Sequence, residues 1–303
     1  MTLRIGTRGS PLALIQAEMV KSALLAAHGW APEQVEIVTI STRGDRNRTA
    51  PLTEMGGKAV WTKELDRALL AGDTQISVNS MKDVESERPD GVRIAATLPR
   101  EDVRDCLIGA ESLDDLKQGA IIGTASPRRA AQVRSLRPDL QTTLLRGNVA
   151  TRLAAVGEGK VDATLLAMAG LNRLGMSDKG APVSTDTLLP APSQGAIGID
   201  CRADDEETAA LLAGIDDAPT SAAIALERAF TAALGGDCHS PVAAHASPDG
   251  DGFDFKAELY SEDGSERICE RRALSRGATG DAADLARAML AGAPSSIAGL
   301  FDA

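Results

Sequence analysis

Two short stretches gather fixed positive charge beside hydroxyl and glycine residues: Ser126-Pro127-Arg128-Arg129 and Arg146-Gly147-Asn148-Val149-Ala150-Thr151-Arg152. In a chain of formal net charge -11, this reads as a pocket for a small polyanion, because a guanidinium fork meets a carboxylate with two parallel hydrogen bonds. Arginine pairs on their own are usually solvated surface charge; several beside strand-to-helix turns are not so easily explained that way. Asn79-Ser80-Met81-Lys82-Asp83-Val84 follows the strand expected at 76–78 and lies at its C-terminal end, where open α/β sheets bind ligands. Taken alone, Lys82 and Asp83 are an ordinary surface pair. Leu234-Gly235-Gly236-Asp237-Cys238-His239-Ser240-Pro241 sets a cysteine on a glycine-rich turn, a poor place for the usual small buried apolar cysteine.

The elements that must position these residues alternate between short apolar strands and helical segments, the pattern of an α/β fold with mostly parallel sheets. Strands are expected at 3–6, 35–39, 76–78, 92–95, 121–123, 143–145 and 163–167. A helix over 11–28 carries Leu12, Ile15, Met19 and Val20, with Ser10 as N-cap and Pro11 at the first helical position, so Arg8 and Ser10 flank a strand-to-helix turn. The segments around Pro127 and Gly147 repeat that arrangement, and free backbone N–H groups at such helix starts favour anions. The three turns are expected to converge on one ligand.

Residues 43–58 (RGDRNRTAPLTEMGGK) lack periodicity and read as a loop over a cleft. Beyond Asp200 the pattern changes to helices at 209–214 and 220–234, strands at 241–247, 253–261 and 267–273, and a helix at 281–290, a smaller α+β domain. No internal sequence repeat is evident.

At 303 residues the chain exceeds one ordinary core, and two or three domains are expected. Cysteines at 106, 201, 238 and 269 are too few and too scattered for a disulfide scaffold or a CxxC zinc site, and three histidines make a metal site improbable. Cys106, Cys201 and Cys269 are expected in packing roles, His28 and His245 in packing or at the surface. The acidic balance and an aromatic content of 2% argue against nucleic acid. No apolar run long enough for a membrane span and no signal-peptide pattern occur, so a cytoplasmic protein is expected.

Six motifs in register carry a resemblance that covers essentially the whole chain: Arg8-Gly9-Ser10-Pro11-Leu12-Ala13, Ser80-Met81-Lys82-Asp83, Ser126-Pro127-Arg128-Arg129, Arg146 through Arg152, Gln194-Gly195-Ala196, and Glu227-Arg228 through Cys238. The chain resembles the porphobilinogen deaminase (hydroxymethylbilane synthase) family. The resemblance implies two lobes like those of type II periplasmic binding proteins, with mixed, mostly parallel sheets, and a smaller C-terminal α+β domain. On that pattern domain 1 comprises 1–96 and 196–214, domain 2 comprises 97–195, and domain 3 comprises 215–303. It also implies a monomer.

The implied activity joins four porphobilinogen units head to tail onto a covalent dipyrromethane primer, then releases hydroxymethylbilane by hydrolysis. By motif position the primer is held through a thioether to Cys238. Lys82, Asp83, Thr124, Ser126, Arg128, Arg129, Arg146, Gly147 and Arg152 are implied cofactor and product residues, and Arg8, Ser10, Lys58 and Gln194 substrate residues. Each porphobilinogen brings an acetate and a propionate, so the arginine array matches the carboxylates that accumulate. Asp83 is the implied catalytic carboxylate, steadying positive charge on pyrrole nitrogens after ammonia is lost.

The chain departs from the usual family pattern at four positions. Asn79 stands for a common histidine, Ser193 for a glycine, Asp237 for a small residue before the cysteine, and Ser240 for a β-branched one after it. A carboxylate at 237 would raise the thiol pKa, which His239, if protonated, would offset. Two other classes fit parts of the sequence. A solute-binding or ligand-sensing protein shares the two-lobed pattern. A cysteine hydrolase would use Cys238 and His239, but no orienting acid is evident.

Overall fold

A computed structural model describes residues 2–42, 62–235 and 240–301. The chain divides into two compact units, Met1–Arg100 with Gly195–Ser221, and Glu101–Gln194 with Ala222–Ala303.

The first unit is built on a five-stranded sheet in the order Val35–Ile40, Leu3–Arg8, Ile76–Ser80, Ile197–Arg202, Val92–Thr97. The first three strands are parallel, Ile197–Arg202 runs against them, and Val92–Thr97 is antiparallel to that. Helix Pro11–His28 covers one face: Ile76, Val78, Ile197, Ile199 and Cys201 pack with Ala17, Val20 and Leu24 in one core. The two-residue period of a strand turns Ser77, Asn79 and Asp200 to the opposite face, where they are also buried. Buried polar groups need partners, and that face supplies them.

The helix itself forms as its termini dictate. Ser10 accepts a hydrogen bond from the Ala13 N–H at 3.3 Å, Pro11 occupies the first turn, and Gly29 ends the helix in the left-handed region at φ 64.

The second unit holds another five-stranded sheet, Gln141–Thr143, Ile121–Gly123, Ala163–Ala167, Asp105–Ile108, Ala181–Pro182. Its first three strands are again parallel, and the fourth is antiparallel to both of its neighbours. Both sheets thus share one order and one reversed strand, a topological repeat with no counterpart in the sequence. The C-terminal part is an antiparallel meander, Val242–Asp249, Gly252–Tyr260, Arg267–Ser275, whose Phe253, Phe255, Ala257 and Leu259 meet helices Ala218–Ala233 and Thr279–Ala291 in a separate apolar core. The fold is α/β with mixed sheets and a smaller C-terminal α+β part.

Three expectations need correction. The strand placed at 143–145 lies at Gln141–Thr143, and Leu144 is 61% exposed, since the turn begins there. Asp105–Ile108 and Ile197–Arg202 are strands that periodicity did not reveal. Cys269 is exposed on an outer strand, whereas Cys106 and Cys201 are buried as expected. Among the described residues no single helix is long and apolar enough to cross a membrane.

Candidate active site

In the first unit, Asp83 stands at the end of the central strand Ile76–Ser80. Ser80 leads into one turn of 3-10 helix, Met81–Asp83, which is tied at both ends: the Met81 N–H donates to the Ala196 carbonyl at 3.1 Å, and the Val84 N–H to the Met81 carbonyl at 3.2 Å. Met81 is buried against Gly198, where a Cβ would collide with the Met81 sulfur, so any larger residue there would push the Met81 side chain aside. Ser80 Oγ exchanges hydrogen bonds with the Gln16 carboxamide at 2.8 and 3.1 Å, locking helix to strand. The turn therefore holds Asp83 exposed on a fixed backbone, with Lys82 half-buried beside it.

Arg8, at the end of the adjacent parallel strand, joins Asp83, Asn79, Ser80 and Thr62 around a cavity of about 20 Å³, room for one water. A ring-sized ligand needs more space than these described residues enclose. The cavity brings together two residues singled out from sequence, Arg8 and Asp83. Ser10 is engaged as the helix cap.

Behind the cavity lies a cluster that sequence reasoning missed. Arg88, 6% exposed, pairs with Asp66, with Glu85 at 3.0 Å and with Asp200 at 3.2 Å. Burial opposes the Arg88 charge, but Asp200, Asp66 and Glu85 outweigh it and raise its pKa. Burial dominates at Asp66, whose carboxyl is pushed up to about 6 although Arg88 works to lower it. Asn79 Nδ2 donates to Asp200 Oδ2 at 2.9 Å, and Thr62 Oγ1 donates to Glu85 at 2.8 Å. The only sequence signal was the polar Ser77 and Asn79 alternating with apolar residues on a central strand.

In the second unit, two of the three expected turns stand side by side. The Thr124 N–H donates to the Thr143 carbonyl at 2.9 Å, and the Leu145 N–H to the Thr124 carbonyl at 3.3 Å. Ser126 caps helix Pro127–Leu136 by accepting from the Arg129 N–H, and Thr124 Oγ1 accepts from the Ser126 N–H at 3.1 Å. Asn148 caps helix Val149–Gly157, accepting from the Thr151 N–H and Oγ1, both at 2.9 Å. Gly147 has φ 117, and a Cβ there would fall 2.8 Å from Thr151, so only glycine lets this turn close. Arg152 Nε donates to the Gly147 carbonyl at 3.1 Å; Arg146 and Arg152 are half-buried on the same turn. Each cap satisfies one N–H of its first turn and leaves others for an anion.

Arg128 and Arg129 point elsewhere. Both are buried and grip Asp105, Arg128 Nη2 at 2.9 Å and Arg129 Nη2 at 2.7 Å; their remaining Nη donors reach the Leu189 and Leu165 carbonyls at 2.8 and 2.7 Å. Burial alone would raise the Asp105 pKa, but the two guanidinium groups outweigh it and hold this carboxyl below the ordinary range. Gln194, also buried, donates to Asp105 Oδ1 at 2.8 Å and to the Val103 carbonyl at 2.8 Å. Two guanidinium groups thus share one carboxylate in the first turn of helix Pro127–Leu136. Cys106 beside it has its thiol pushed up to about 11 by burial and by Asp105, an inert packing residue.

Ser193, next to Gln194, is the one non-glycine among the described residues with positive φ, at 63, which explains why glycine is usual there. Its N–H donates to the buried Glu227 carboxylate at 2.6 Å, which also accepts from the Ala246 N–H at 2.8 Å. Among the described residues no group of three or more His, Cys, Asp and Glu side chains could hold a metal. Lys58, the expected loop 43–58, and Cys238 with Asp237 and His239 lie outside the described residues.

A family model described as "Porphobilinogen deaminase, dipyromethane cofactor binding domain" matches residues 3–210, and one described as "Porphobilinogen deaminase, C-terminal domain" matches 221–291. The chain is 55% identical over 305 residues to the "Porphobilinogen deaminase" of Sphingopyxis alaskensis, covering 99% of this chain and 96% of that one. It is 50% identical over 284 residues to the protein of that name from Nitrobacter winogradskyi, covering 93% and 89%. Among solved structures, the methionine binding protein MetQ aligns at a TM-score of 0.45 with 12% identity, covering 71% of this chain and 88% of that one.

Proposed function

The chain belongs to the porphobilinogen deaminase family, and from that membership we propose how its residues divide the work. It is a transferase of tetrapyrrole biosynthesis that deaminates porphobilinogen and polymerises it on a dipyrromethane cofactor. The observation that carries the residue assignment is the cavity joining Arg8 to Asp83 at the ends of two adjacent parallel strands.

The cationic turns of the second unit suit a group rich in carboxylates: two capped helix starts side by side, Arg146 and Arg152 on one of them, and two guanidinium groups sharing one carboxylate in the first turn of the other. Cys238 would hold the dipyrromethane as a thioether, and Thr124, Ser126, Gly147, Arg146 and Arg152 would hold its carboxylates. Arg128 and Arg129 would act on them through their field, because Asp105 occupies their Nη2 donors. When bound, the group supplies the pyrrole carbon on which the chain grows.

Arg8 and Lys58 would bind the acidic side chains of incoming porphobilinogen, with Ser10 framing that site as the helix cap, while Gln194, buried in the second unit on Asp105 and the Val103 carbonyl, would hold that cluster together. Asp83 would accept the pyrrole N–H of the substrate, stabilise the positive charge that develops as ammonia leaves, and take up the proton released when the ring regains aromaticity. Lys82, half-buried beside Asp83, would contribute its charge to holding the cofactor and product carboxylates. Four additions and a hydrolytic release give hydroxymethylbilane.

The protein would work in the cytoplasm as a monomer of three domains, 1–96 with 196–214, 97–195 and 215–303. Its net charge of -11 favours a small-molecule partner over nucleic acid. Intact-protein mass spectrometry tests the reading: a covalent adduct the size of two linked pyrroles is expected, absent from Cys238→Ser together with activity. An unmodified polypeptide mass in an active preparation would overturn it.

A further inference from the structure

Three carboxylates from three parts of the first unit meet one guanidinium, two of them buried and the third, Glu85, half-buried. Asp66 comes from helix Lys63–Leu70, Asp200 from strand Ile197–Arg202, and Glu85 from the segment that follows Asp83. Two of these carboxylates pass the constraint on: Asp200 fixes the Asn79 carboxamide at 2.9 Å, and Glu85 fixes the Thr62 hydroxyl at 2.8 Å. Asn79 and Thr62 both line the cavity that holds Asp83. The segment from Asp83 to Arg88 is itself bound back to the sheet through the same guanidinium. The Arg88 side chain is almost wholly buried, so these pairs escape the screening that makes surface ion pairs weak, and removing the guanidinium would leave three carboxylates facing one another without a counterion.

We propose that Arg88 is a positioning residue for the reaction, fixing Asn79 and Thr62 in the cavity wall and holding the backbone after Asp83 in place. This rests on Asp83 as the carboxylate that carries the chemistry. Asn79 occupies the position where the family pattern has a histidine; here an amide takes the wall position, and the fixed positive charge beside Asp200 comes from Arg88, which does not titrate near neutral pH. Among the described residues, Asp66, Glu85 and Asp200 are the charged groups facing Arg88.

The test uses holoenzyme whose adduct is confirmed by intact mass. Arg88→Lys keeps the charge but loses the planar fork that addresses three carboxylates at once. It is expected to lower kcat roughly tenfold to a hundredfold, the scale of a small misplacement of a catalytic group. The KM for porphobilinogen should stay within about twofold and the adduct mass unchanged, a split that a merely structural defect does not give. Asn79→Ala and Thr62→Ala each remove one arm without stranding a charge, and each should lower kcat with KM held; they carry the test if Arg88→Lys does not fold. In an Asp83→Asn background, Arg88→Lys should cost no further rate beyond about twofold, because no positioned carboxylate remains to misplace. Wild-type kcat in the folded variants, or a full multiplicative loss on top of Asp83→Asn, overturns the proposal. An Asp83→Asn enzyme of normal rate would instead overturn the assignment of Asp83, and the proposal with it.

Discussion

Asp105→Asn keeps the shape of a buried side chain and removes its charge. The carboxylate receives Arg128 at 2.9 Å, Arg129 at 2.7 Å and Gln194 at 2.8 Å, with no exposure to water. After the change, two guanidinium groups face one another without a counterion. Breaking a buried pair by removing one partner costs about 3–5 kcal/mol, and the repulsion between the two arginines puts this case at the upper end. Against a total stability of about 5–15 kcal/mol, that is a large fraction. Equilibrium urea unfolding near neutral pH, followed by far-UV circular dichroism, should show a lower midpoint at unchanged slope. The acid limb gives a second reading. Because the folded Asp105 pKa lies below its unfolded value, its stabilisation is complete above the ordinary carboxylate range and is lost as pH falls through the folded pKa. Asp105→Asn should flatten that limb. A loss under about 1 kcal/mol, or an unchanged acid limb, would refute the reasoning.

Asp66 has the opposite sign. Its folded pKa, raised to about 6, means the folded protein binds a proton more readily than the unfolded chain, so this group adds stability as pH falls from above 6 toward 4. The shift corresponds to at most about 3 kcal/mol, and Asp66→Asn should erase that slope in urea titrations across the interval while leaving neutral-pH stability equal or higher; a parallel slope in the variant would contradict this. Ser193→Gly should be neutral or stabilising by about 1 kcal/mol, since glycine relieves the left-handed strain but adds unfolded-state entropy; a clear fall in the thermal midpoint would show that the Ser193 side chain matters more than its backbone. Arg146→Leu should weaken cofactor assembly more than substrate capture, and a fully loaded Arg146→Leu by intact mass would contradict its place in the cationic turn.

The legible parts of the fold were those whose local signals and tertiary needs agree. Ser10 and Pro11 mark the start of helix Pro11–His28, and the structure keeps that start. The cationic turns were legible because Ser126-Pro127 and Asn148 are cap signals in their own right. Strand Asp105–Ile108 was hidden by Glu101, Asp102, Arg104 and Asp105 before its apolar core, since a charge at the head of a buried strand is foreign to any hydrophobic pattern. Its meaning appears only when Arg128, Arg129 and Gln194 close on it from distant positions. The same holds for Arg88, which reads as a surface arginine until Asp66 and Asp200 arrive from other elements. The repeated sheet order left no sequence trace because each sheet takes its reversed strand from a different point in the chain: Ile197–Arg202 after the others, Asp105–Ile108 before them. Topology constrains burial and direction, which many sequences satisfy.

The central claim is that one carboxylate at the end of strand Ile76–Ser80 stabilises the charge that appears as ammonia leaves. Single-turnover addition of porphobilinogen to Asp83→Asn, on enzyme whose adduct mass is verified, measures it directly. The account expects full adduct retention and a rate lowered roughly a hundredfold to a thousandfold, the loss typical of removing one electrostatic stabiliser from an active site. A normal rate in that variant would contradict it.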